Sequence, residues 1–109
     1  MTDKELLELA AKAAQLPDAK WDDYLGLVYT AENGIKECPW NPLEYDGAAL
    51  WLAVKLHLDI NAYPLSGETS ACRYHHGITG RCIEKTRDDP YAATRRAIVR
   101  AAAEIGRTV

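Results

Sequence analysis

Tyr24-Leu25-Gly26-Leu27-Val28-Tyr29-Thr30-Ala31-Glu32-Asn33-Gly34-Ile35-Lys36-Glu37-Cys38-Pro39-Trp40 decides the fold class of this chain. Asn-Gly between two runs of β-forming residues is a strong hairpin signal, because both residues tolerate the positive φ of a type I′ turn. A two-residue turn fixes the register: Ile35 opposite Glu32, Cys38 opposite Tyr29, and Trp40 opposite Leu27. Leu25, Leu27, Tyr29, Cys38 and Trp40 then share one face, which is the expected core face. The prolines of Cys38-Pro39-Trp40-Asn41-Pro42-Leu43 make a stiff connector out of the hairpin.

Helices are expected on both sides. Thr2 with Glu5 three residues on reads as a capping box. Leu6, Leu9, Ala10, Ala13 and Leu16 then recur at helical spacing, and Pro17-Asp18 ends that helix. After the connector, Asp46 reads as the cap of a second helix, which is apolar on nearly every side: Leu50, Trp51, Leu52, Val54, Leu56 and Leu58. A helix without a polar face is buried on two sides or belongs to an interface. Asp59 to Leu65 reads as a strand, with Pro64 marking an edge. Residues 70–75 and 80–87 read as a second hairpin around His76 to Thr79. Asp89-Pro90 starts the last helix, expected to stop at Gly106. The order is helix, hairpin, helix, strand, hairpin, helix. The expected fold is α+β, with about three helices and five mostly antiparallel strands, the helices packed on the sheet and an α/β/α sandwich as one form of it.

The 109 residues fit one domain, residues 1–109. Apolar residues make up 48% and charged residues 27%, a globular balance. The longest apolar run, Ala48 to Val54, is far short of the roughly 18 residues of a membrane span. The N-terminus has no basic region before an apolar run, so a cytoplasmic location is expected. Three cysteines, Cys38, Cys72 and Cys82, are an odd count and read as reduced. The net charge is −3, but it is unevenly spread. Residues 1–49 hold ten acids and four bases, and residues 81–109 hold seven bases and four acids.

Two stretches carry a family resemblance. One is Trp40-Asn41-Pro42-Leu43 followed by Asp46-Gly47, Ala49-Leu50 and Leu52-Ala53-Val54-Lys55-Leu56; the other is Arg95 to Gly106. With the alanine-rich opening helix, they resemble the small phage and prophage proteins grouped as the phage ABA sandwich domain. The resemblance covers about half the chain. It implies a sheet covered by helices, a bacterial or phage origin with the cytoplasm of a bacterial host as the location, and no assigned activity. It brings no catalytic residues. Where that family usually carries an acid and an arginine, this chain has Ala48 and Trp51. A tryptophan in place of a solvated charge marks a contact surface, with Lys55 and His57 as its polar neighbours. Packing under a loop is the alternative for Trp51.

Each remaining cluster has a plain structural reading. Cys72, His75, His76 and Cys82 are the one metal-like group. A four-residue loop would pair Arg73 with Cys82 and Cys72 with Ile83, sending the cysteines to opposite faces, so no metal is expected. The same argument removes a Cys-His nucleophile pair, and no catalytic residue is assigned. Arg96, Arg100 and Arg107 form a basic stripe with Arg95 at its flank. Such a stripe suits phosphate, but arginines near a helix C-terminus also complement its dipole, and no aromatics interleave for base stacking. Trp21, Tyr24 and Tyr45 could line a cleft for a planar ligand.

Three functions follow. The first is a non-enzymatic phage accessory protein that binds a host protein, modulating or inhibiting it or a defence system. The second is a small-ligand protein that sequesters a nucleotide signal. The third, which the acidic balance disfavours, is a nucleic-acid-binding module. No cofactor and no membrane partner are expected, and self-association is left open.

Overall fold

The computed structural model describes residues 1–31, 34, 36–63, 67–74 and 78–109. Among the described residues there are three helices and six strands, in the order α1 (Asp3–Ala13), β1 (Lys20–Asp22), β2 (Gly26–Ala31), β3 (Lys36–Pro39), α2 (Asp46–Lys55), β4 (Leu58–Tyr63), β5 (Glu68–Tyr74), β6 (Ile78–Lys85) and α3 (Pro90–Arg107). The class is α+β, with the helices packed on antiparallel strands. The strands form two three-stranded sheets, β1-β2-β3 and β4-β5-β6. Among the described residues, no helix is long and apolar enough to cross a membrane.

The first sheet keeps the register set by the Asn-Gly turn. Tyr29 lies opposite Cys38, and the Trp40 N–H donates to the Leu27 carbonyl at 2.9 Å. The expected Glu32–Ile35 pair and Asn33 lie outside the described residues. Leu27 and Trp40 are buried as expected, whereas Leu25 is exposed. The cause is an additional strand. Lys20–Asp22 pairs with the start of β2, and the Asp22 carboxylate accepts the N–H groups of Tyr24 and Leu25, each at 2.8 Å. Such a side-chain-closed turn draws Leu25 out of the strand. Gly26, at φ +81°, completes the reversal.

α1 starts as expected, with Thr2 Oγ1 accepting the Glu5 N–H at 3.2 Å. It ends at Ala13, earlier than Pro17, because Gln15 takes a left-handed φ of 58°. Its most buried face is Leu6, Leu7, Ala10 and Ala11, with Leu9, Ala13 and Leu16 at the margin. α1 packs along α3, so that face is set by a helix on one side and a sheet on the other.

α2 is not capped by Asp46. Tyr45 occupies the N-cap position without a side-chain hydrogen bond, and Asp46 is the first helical residue, paired with Arg95. The helix stops at Lys55. His57, at φ 57°, turns the chain directly into β4, which starts at Leu58. Left-handed backbone is tolerated by histidine better than by β-branched residues.

The β5–β6 register departs from the expected one. Ala71 lies opposite Cys82 and Ser70 opposite Ile83, with a shift between Ala71 and Arg73 that brings Arg73 opposite Thr79. A bulge accounts for the extra residue on β6, which has two residues between Thr79 and Cys82 where β5 has one between Ala71 and Arg73. The pairing sets the smallest side chain, Ala71, beside Cys82 in the core and brings Glu84 within reach of Arg100 of α3. α3 begins as expected, with Asp89 accepting the Ala92 N–H at 3.0 Å. It continues through Gly106 to Arg107 rather than stopping there.

Candidate functional site

α2 presents two apolar faces. Ala49, Leu52, Ala53 and Leu56 are buried against the rest of the molecule. Leu50, Trp51 and Val54 are 62%, 45% and 68% exposed. A contiguous apolar surface on a helix that already has a buried face is the usual mark of an interaction site. The burial pattern is a result of position: α2 lies against α3 and β4, and nothing in the described residues covers its outer side.

Trp51 and Lys55, one helical turn apart, form one wall of a cleft of about 640 Å³. The turn that follows α1, from Ala14 to Asp18, Tyr29 to Ala31 of β2, and Gly34 form the rest. The left-handed residues Gln15 and Asp18 shape that turn. Trp51 and Lys55 therefore line one cleft, in a setting that the sequence did not reveal. His57 is exposed at the C-terminal end of α2 and does not line this cleft.

A second cleft, of about 560 Å³, runs on the other side of α2. It is lined chiefly by apolar groups: Leu50 of α2, Ile60 and Ala62 of β4, and Tyr91 and Ile98 of α3. The alternation of Leu58, Ile60 and Ala62 was the available signal for it, since residues two apart on a strand share a face. Two clefts with charged residues in their lining border α3. One, of about 630 Å³, is lined by Lys85 to Asp89 with Arg96 and Arg100. The other, of about 410 Å³, is lined by Met1, Cys82, Glu84, Arg96, Arg100 and Glu104 among others.

The basic stripe is matched by carboxylates. Arg96 pairs with Asp3 at 3.1 Å, Arg107 with Glu104 at 3.2 Å, and Arg95 with Asp46 at 2.7 Å. Arg100 pairs with Glu84 and also donates to the Ile83 carbonyl at 3.1 Å. That hydrogen bond to Glu84 holds the Arg100 guanidinium still more firmly in its charged form. Arginines spent on intramolecular carboxylates project little net field, which lowers their use for a phosphate backbone.

Trp21, Tyr24 and Tyr45 line none of these four clefts, which are drawn from the described residues. Trp21 is half-buried against the core, with the Lys4 ammonium 5.8 Å from its ring centroid. Tyr24 stands in the β1–β2 turn, almost wholly exposed, and Tyr45 is exposed at the start of α2. None of these four clefts therefore joins the three residues expected to hold a planar ligand.

Of the metal-like group, His75 and His76 lie outside the described residues. Cys72 and Cys82 are buried and unpaired in any disulfide. Burial pushes the Cys82 thiol up, with the nearby Arg100 opposing. A thiol held in its neutral form is poorly suited to bind metal or to attack. Among the described residues, no three His, Cys, Asp or Glu side chains converge on a point.

The fold and this surface define a small α+β protein with an apolar helix face open to water. No family model, curated protein or solved structure matches the chain.

Proposed function

We propose that the protein is a non-enzymatic binding protein that docks a protein partner on the outer face of α2, seated in the cleft of Trp51 and Lys55. The observation that supports this is the exposure of Leu50, Trp51 and Val54 on a helix whose opposite face is already buried. Leaving such side chains in water has a cost that a partner would remove, at roughly 25 cal/mol for each Å² covered. Tryptophan is also the side chain most enriched among residues that dominate interface energies. Lys55 beside the ring suits a partner segment that places a carboxylate next to an apolar side chain.

The resemblance to phage and prophage proteins suggests the setting: an accessory protein in the cytoplasm of a bacterial host, modulating or inhibiting a host protein or a defence system. The arginine pairing speaks against the nucleic-acid reading, because those side chains already hold carboxylates. The reading is tested with Trp51→Asp. Trp51 is half exposed, so the variant is expected to fold with an unchanged circular dichroism spectrum. In pull-downs from bacterial lysate, the partner retained by the wild-type chain is expected to be lost. Retention of the same partner by the folded variant would end the reading.

A further inference from the structure

Among the described residues, the two sheets have four edge strands: β1, β3, β4 and β6. An edge strand carries unpaired N–H and C=O groups, and natural proteins guard it with charges, proline, bulges or shortness. β1 has three residues, including Lys20 and Asp22. β3 has four, including Lys36, Glu37 and Pro39. β6 carries Arg81, Glu84 and Lys85. β4, Leu58-Asp59-Ile60-Asn61-Ala62-Tyr63, has six residues, one charge and no proline. It is the least guarded of the four, and it runs beside the apolar cleft of about 560 Å³. Leu50 and Tyr91 at that cleft are also exposed.

We propose that β4 pairs antiparallel with β4 of a second copy of the chain, joining two three-stranded sheets into one of six strands across a two-fold axis. Such an axis makes the strand meet itself, so one residue must lie opposite its own copy. Charge selects which one. Centring on Asp59 opposes two carboxylates, which is destabilising. Centring on Asn61 sets Asp59 opposite Tyr63. Centring on Ile60 sets Asp59 opposite Asn61 of the second copy, so that the two carboxylates stay apart. The same register sets Ile60 opposite Ile60 and Leu58 opposite Ala62, an unbroken apolar row on the face that Ile60 and Ala62 share with α3. It also brings the two apolar clefts together at the axis. Leu50 lies at the cleft that meets the axis, whereas the Trp51–Lys55 cleft lies between α2, α1 and β2, so Trp51 and Ile60 variants test the two readings separately.

The test is sedimentation equilibrium of the full chain from micromolar to sub-millimolar concentration. The apparent mass is expected to rise from 12.1 kDa toward twice that value. Ile60→Lys, which opposes two ammonium groups on the axis, is expected to weaken the dimer at least ~10-fold with an unchanged circular dichroism spectrum. Trp51→Asp is expected to leave it intact. Ile60→Cys is expected to form an interchain disulfide on mild oxidation, because directly opposed antiparallel residues have Cα atoms about 4.5–5.5 Å apart, within disulfide range. Asp59→Cys, displaced by two rungs from its own copy, is expected to cross-link far less. A monomer at every concentration, or a dimer as tight in folded Ile60→Lys as in the wild type, would overturn the proposal. Should Ile60→Lys fail to fold, equal cross-linking of Ile60→Cys and Asp59→Cys would overturn it as well.

Discussion

A methyl group placed on Gly106 would lie 2.0 Å from the carbonyl oxygen of Leu9 and 2.8 Å from its carbonyl carbon. The obstacle is backbone, so no rotamer change relieves it. Gly106 is the residue that lets α3 approach α1. Replacing a helical glycine by alanine usually gains about 1 kcal/mol of helix propensity. At this position the two helices must separate instead. Gly106→Ala is expected to destabilise the protein by about 1–3 kcal/mol, the usual cost of overpacking a close contact. Urea denaturation measures it. A variant as stable as the wild type would show that α1 and α3 tolerate the added methyl.

The same glycine shows how far the sequence could be read. A glycine near the end of an amphipathic run resembles a C-cap, and position alone does not separate a stop signal from a close approach. Local chemistry was legible: the Thr2 and Asp89 caps, the Tyr29–Cys38 register and the three-helix α+β class all depend on neighbours in sequence. Long-range partners were not. Asp46 looked like a cap because Arg95, 49 residues away, cannot be seen from its neighbourhood. The β5–β6 register was misplaced because it is set by what fits under α3, namely Ala71 and Cys82, rather than by turn length. Trp51 and Lys55 were found at one helical turn, while their cleft needed α1 and β2 to complete it.

Cysteine reactivity follows from burial. Cys72 and Cys82 are buried, whereas Cys38 of β3 is only partly so. Thiolate is the reactive form, and burial holds the Cys82 thiol neutral. A thiol reagent applied to the native protein at neutral pH is expected to modify Cys38 first. Cys72 and Cys82 are expected to react only after denaturant is added. Mass spectrometry of the labelled peptides reads this directly, and early labelling of Cys82 would contradict its place in the core.

The β1–β2 turn should give a pH signature. The N–H groups of Leu25 and Tyr24 hold the Asp22 carboxyl below its ordinary value of 3.8. A carboxyl with a depressed folded-state value contributes stability that is present above its unfolded value and is lost as pH falls through the folded one. Asp22→Asn keeps an acceptor oxygen but no charge. The Tm difference between the wild type and this variant is expected to be steady above about pH 5 and to shrink as the acid range is entered. A difference that does not depend on pH would show that the turn draws nothing from the charge.

The arginine pairs predict how the basic helix behaves toward nucleic acid. Arg96 with Asp3 and Arg107 with Glu104 are exposed pairs, and such pairs contribute only about 0–1 kcal/mol each. Arg96→Gln combined with Arg107→Gln should therefore fold with little loss of stability. Binding to DNA or RNA through phosphate contacts would weaken steeply with salt and would lose part of that slope with each arginine removed. Because each guanidinium already holds a carboxylate, wild-type protein and the double variant are expected to pass through a DNA column alike at low salt. Retention of the wild type that salt abolishes, and that the double variant lacks, would show that nucleic acid can displace Asp3 and Glu104, and α3 would then be an interface after all.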